Sequence, residues 1–153
     1  MRGYTILPKK YFYLIFIPIG ILIFITSIEV IIKVKDRTLF DAWVLNNNFG
    51  SNHTESQLFN IYMTGNLALY FQKIIIPIGL SLHTYFSYVK IRINKLFVLV
   101  WTILLAGSYA YVFFDADFTD IFIYIYTILY IFMIFIVLSL IIVIDKSEDC
   151  ERR

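Results

Sequence analysis

Four apolar stretches, each close to the length that crosses a bilayer, leave this chain few folds to choose from. They cover residues 11–32, 67–89, 96–114 and 121–144. A bilayer core requires about 20 apolar residues in helical form. Inside lipid every backbone N–H and C=O must find its partner within the protein, so a run of this length is a helix. The expected fold is therefore an all-α integral membrane protein, a four-transmembrane-helix bundle forming one domain over residues 1–153. Composition points the same way, with 60 % hydrophobic residues and a mean hydropathy of +0.79, far above an ordinary soluble chain.

The first stretch follows Lys9 and Lys10, as the apolar part of a signal peptide would. At 22 residues it is too long for that role, and no small-residue cleavage pattern comes after it. It is expected to stay as an uncleaved span. Four spans put both termini on one side, and the basic residues choose which. The N-terminus, the turn between the second and third spans and the tail over 145–153 hold nine Lys and Arg, whereas the opposite side holds Lys33, Lys35 and Arg37. Both termini are expected to be cytoplasmic. The larger loop, residues 33–66, is then external. Within it, residues 38–45 have the pattern of a short interfacial helix anchored by Trp43, and Ser56 is the expected N-cap of the second long helix.

The second span carries the most information. At about 100° per residue, Phe71, Ile74, Ile75, Ile78, Leu82, Tyr85 and Val89 gather on one side. Gln72, Lys73, Pro77, Gly79, Ser81, His83, Thr84 and Ser87 spread over the rest. A helix bathed in lipid all round would not divide so, and the polar arc is expected to meet protein or water. Glu29 in the first span lies at a depth similar to Lys73. The two either pair or snorkel separately to the outer interface. Pro18 and Pro77 each free a carbonyl four residues earlier, Leu14 and Lys73. The candidate intramembrane polar site is Glu29, Gln72, Lys73, Pro77, Gly79 and His83.

Two further groups stand out. Thr102, Ala106, Gly107 and Ala110 make a small-residue face in the third span, a candidate for helix packing within the bundle or between subunits. Asp115, Asp117 and Asp120 crowd the turn before the fourth span, where acidic residues cap a helix or attract cations. The fourth span is rich in aromatics, among them Tyr124, Tyr126 and Tyr130, read as core and lipid packing.

Cys150 is the single cysteine, which forbids an internal disulfide or a dithiol redox site. No nucleophile elbow, phosphate loop or metal-ligand spacing is present. The expectation is a non-enzymatic chain with no cofactor and no direct contact with nucleic acid. The Ile, Phe, Tyr, Asn and Lys usage is what AT-rich codons give, which points to the cytoplasmic membrane of a low-GC bacterium or to a mobile element. Four helices enclose little space, so a homo-oligomer is expected, bathed in membrane lipid. One function fits best: a subunit of an inner-membrane complex that senses or anchors for a cytosolic partner, as in a phage-defence system. That partner would dock at the turn between the second and third spans and on the tail. The alternative is a small ion channel, holin-like protein or transporter with the second span lining the conduit.

Overall fold

The structure, a computed structural model, describes residues 7–47, 49, 53–91, 93–114 and 120–151. Among them are five helices: α1 (Lys9–Lys35), α2 (Arg37–Asn47), α3 (Glu55–Val89), α4 (Lys95–Phe114) and α5 (Ile121–Glu151). Four of these, α1, α3, α4 and α5, are long and apolar enough to cross a membrane. α1 lies against α3 and α5, and α4 against α5 and α3. The core runs along this seam through Ile15, Ile19 and Leu22 of α1, Leu80 of α3, Trp101 and Leu105 of α4, and Tyr130, Met133 and Val137 of α5. Phe24, Ile75, Ile103, Phe135 and Ile142 face outward. An apolar exterior over an apolar core suits a helix bundle long enough to span a bilayer.

The helix ends follow from local chemistry. α1 starts after Pro8, whose fixed φ suits a helix start, and Lys33 and Lys35 in its last turn suit the negative end of the dipole. The chain then bends at an extended Asp36. The Asp36 carboxylate accepts from the Thr38 amide at 2.9 Å and the Thr38 hydroxyl at 2.6 Å, which starts α2. α2 docks through Phe40, whose ring lies 5.5 Å from Phe59 and 5.6 Å from Tyr62, and through Trp43, 5.3 Å from Tyr62. Asn94 Oδ1 accepts from the Phe97 amide at the start of α4, and Asp120 Oδ1 from the Phe122 amide at the start of α5.

Several boundaries differ from those expected. α3 begins at Glu55, two residues before the start that Ser56 as cap would give, and so extends well beyond the apolar stretch 67–89. Its cap is Thr54, which shares a capping box with Gln57, and not Ser56. Ser56 lacks a Glu or Gln three residues on; Thr54 has one. The loop over 33–66 is thus mostly helix. α3 has 35 residues, about 52 Å at 1.5 Å per residue, well beyond an apolar bilayer core of about 30 Å. Its first turns are the part that packs on α2. The fourth long helix does not end near residue 144, because α5 continues through the tail to Glu151. Lys95 Nζ reaches Asp145 Oδ1 at 2.7 Å and ties this extension to the start of α4.

The two faces of α3 need correction at two residues. Ile74, placed on the lipid side by its projection, is buried. Gln72, placed on the inward arc, is exposed. The buried stripe runs through Ile74, Pro77, Leu80, Thr84 and Ser87. The other six residues placed on the lipid side, Phe71, Ile75, Ile78, Leu82, Tyr85 and Val89, are exposed, so the split holds except at Ile74 and Gln72 on its border.

Candidate functional site

Glu29 is the centre of a charged cluster that ties three helices together. Its side chain is 3 % exposed. Lys33, one turn on in α1, places Nζ 2.6 Å from Glu29 Oε1. Glu followed by Lys four residues later is the favourable orientation for such a pair. Lys73 of α3 reaches both carboxylate oxygens, at 2.7 Å and 2.9 Å. The Tyr126 hydroxyl of α5 donates to Glu29 Oε2. The Lys73 ammonium also stands 4.8 Å from the centroid of the Tyr126 ring. Lys33 closes the set by reaching Asp120 Oδ2 at 3.3 Å.

Two carboxylates face two ammonium groups, so the cluster is formally neutral. Burial is graded. Glu29 is enclosed and Lys73 nearly so, while Lys33 and Asp120 are about one-third and one-quarter exposed. A cavity of about 140 Å³ opens among these residues, Leu69 and Tyr111. An unpaired charge at this depth would be costly, and each charge here has its opposite within hydrogen-bond reach.

Toward the end where α3 turns into α4, the interior becomes apolar. Leu22, Ile19, Leu80, Met133, Val137 and Leu140 are all buried there. Thr84 and Ser87 of α3 are buried there too, and next to the charged cluster two hydroxyls meet a backbone carbonyl. The Tyr130 phenol donates to the Lys73 carbonyl at 2.8 Å. Ser108 Oγ of α4 lies 2.9 Å from the same phenol. That carbonyl is the one Pro77 deprives of its helical donor.

His83 and Gly79 belong to a different contact. Trp101 Nε1 of α4 donates to His83 Nδ1 at 2.9 Å, which leaves the imidazole neutral with its proton on Nε2. A Cβ on Gly79 would stand 3.2 Å from Trp101 Cη2, so the glycine gives the indole room.

The six intramembrane residues read from the sequence thus separate. Glu29 and Lys73 meet. His83 and Gly79 gather round Trp101. Pro77 is buried between the two groups, and Gln72 faces away from the bundle. On α4, Ala106 and Gly107 are exposed, while Thr102 and Ala110 are half-buried. Of the acidic turn, Asp120 joins the cluster, and Asp115 and Asp117 lie outside the described residues. Lys33, Tyr126 and Tyr130 are functional candidates that pattern reading missed. The Glu29–Lys33 spacing was a usable signal for the first. Nothing in a run of aromatics marks which tyrosines meet a charge. Among the described residues no three His, Cys, Asp or Glu side chains gather as metal ligands.

The five helices among the described residues, four of them long and apolar enough to span, point to the class of helical membrane proteins. The chain matches no family model, no curated protein and no solved structure.

Proposed function

We propose that this chain is a small, non-enzymatic subunit of a bacterial cytoplasmic-membrane complex, with both termini in the cytoplasm, that senses or anchors at the membrane for a cytosolic partner. The observation that carries this reading is the closure of the Glu29 cluster on itself. A conduit through the monomer needs polar groups distributed along a continuous path. Here the charges neutralise one another at one end, and the interior beyond them is mostly Leu, Ile, Met and Val, with Thr84 and Ser87 as scattered hydroxyls and no buried charge among the described residues. Such an arrangement fixes α1, α3 and α5 relative to one another. It leaves Lys33 and Asp120 at a polar mouth where an outside event can be felt. At the other end, the Lys95–Asp145 pair and the exposed Lys90 and Lys146 offer a partner a mixed-charge surface.

The test combines two measurements. Protein reconstituted in planar bilayers should carry no current. Mild-detergent capture from native membranes should recover a soluble protein that is lost when Lys90 and Lys146 are changed to Glu. Ionic current that vanishes in Lys73→Met would reverse the reading in favour of a conduit.

A further inference from the structure

Gln72 is a polar side chain inside a span that turns away from its own bundle. Tyr70, two residues before it, lies 3.4 Å from Ser27 of α1, and Lys73, the next residue, reaches Glu29. These contacts put Gln72 at the level of α1 residues well inside its Lys33 end. The Gln72 amide is exposed and makes no hydrogen bond among the described residues. Lipid tails cannot satisfy it.

The surface around Gln72 has the shape of a helix seam. Gly65, Ala68, Gln72 and Ile75 follow one another at spacings of three, four and three, with Leu82 seven further on, and all five are exposed. This is the heptad alternation that keeps one stripe facing a partner helix. The outer part of the stripe is small, and a Cβ on Gly65 would meet nothing within 4 Å, so a second backbone can come close. We propose that the occupant of this stripe is the α3 of a second copy, related by a twofold axis along the membrane normal. The chemistry selects that occupant. A carboxamide carries both a donor and an acceptor and is therefore its own complement. A twofold axis brings Gln72 against Gln72. A charged partner has no counterpart here, because Lys73 is committed to Glu29. One polar residue on an otherwise apolar seam also fixes register.

The inference rests on the membrane placement of α3 in the proposed function, and the test separates the two. Single-cysteine variants are made in a Cys150→Ser background and oxidised in liposomes at low protein density. Ala68→Cys and Ile75→Cys should give disulfide-linked dimers. Leu67→Cys and Ile78→Cys, exposed but off the stripe, should not. Gln72→Leu should weaken dimerisation about tenfold by energy transfer between labelled copies, with monomer unfolding unchanged. Equal cross-linking at all four positions, cross-links at Ala106→Cys alone, or wild-type dimerisation of Gln72→Leu would overturn the pairing. Labelling of Gln72→Cys by a membrane-impermeant maleimide in intact vesicles would overturn the placement itself.

Discussion

The Tyr130 hydroxyl donates to the Lys73 carbonyl at 2.8 Å, and that carbonyl is the acceptor left without a helical donor by Pro77. A kink in one span is thus completed by a phenol from another. Tyr130→Phe should orphan a buried carbonyl and cost about 1–3 kcal/mol, read as a lower unfolding temperature in detergent. The same change in a Pro77→Ala background should cost less, because residue 77 then supplies its own N–H to that carbonyl. An equal cost in both backgrounds would mean that the phenol acts by packing alone.

The Glu29 cluster makes a prediction of the opposite kind. Glu29→Gln strands Lys73 among apolar side chains, since Lys33 can turn to water but Lys73, 18 % exposed, cannot do so freely. Breaking a buried pair from one side costs about 3–5 kcal/mol. Adding Lys73→Met should recover part of the loss, with a coupling of about 0.5–3 kcal/mol. Strict additivity in a thermal-unfolding cycle would exclude an energetic link between the two residues.

Asp36 predicts a pH effect outside the spans. Its carboxyl is held below the usual carboxylate range, first by the Thr38 hydroxyl and then by the Thr38 amide. A lowered folded pKa gives stability that is present above the unfolded value of about 3.9 and lost as pH falls through the folded one. In a Trp101→Phe background, Trp43 emission should hold steady down to about pH 4 and shift below it as α2 loosens. Asp36→Ala should remove most of that dependence. The remainder belongs to the exposed pairs of Arg37 with Asp41 and Glu55.

Orientation is tested through Cys150. With both termini cytoplasmic, a membrane-impermeant maleimide should label it only after permeabilisation of the cells. Labelling of intact cells would invert the proposed topology, and with it the surface offered to a partner.

The spans were legible in the sequence because length and hydropathy are local properties. The similar depth of Glu29 and Lys73 was legible as well, counted from the loop between them, but depth alone leaves pairing and separate snorkelling equally open. The faces of α3 were legible too, except at Ile74 and Gln72. A polarity pattern cannot tell a buried Ile74 from a lipid-facing Ile75, since lipid and core are both apolar. For the same reason Gln72 was assigned to the interior. Tyr126 and Tyr130 were hidden among aromatics, because the charge and the carbonyl they satisfy come from other helices. The start of α3 was read two residues late, because Ser56 alone looks like a cap until Thr54 and Gln57 are read together as a capping box.

The pairing of Gly79 with Trp101 yields a prediction that separates packing within the chain from assembly between chains. A small residue in a span is commonly read as a subunit contact, but here the space it leaves is filled by the indole of the same chain. Gly79→Ala places a Cβ 3.2 Å from Trp101 Cη2, a contact the ring can relieve by a slight shift. Gly79→Leu cannot be relieved so cheaply and should push the indole off His83, breaking the 2.9 Å bond from Nε1 to Nδ1. Overpacking of this kind costs about 1–3 kcal/mol. In a Trp43→Phe background, Trp101 fluorescence should shift and its quenching should rise in Gly79→Leu, while Gly79→Ala stays close to wild type. His83→Ala should mimic part of the spectral change without the steric clash, because it removes the acceptor alone. Dimerisation of Gly79→Ala should be unaltered. A loss of dimer with unchanged Trp101 emission would move Gly79 from the interior of the bundle to its outer seam.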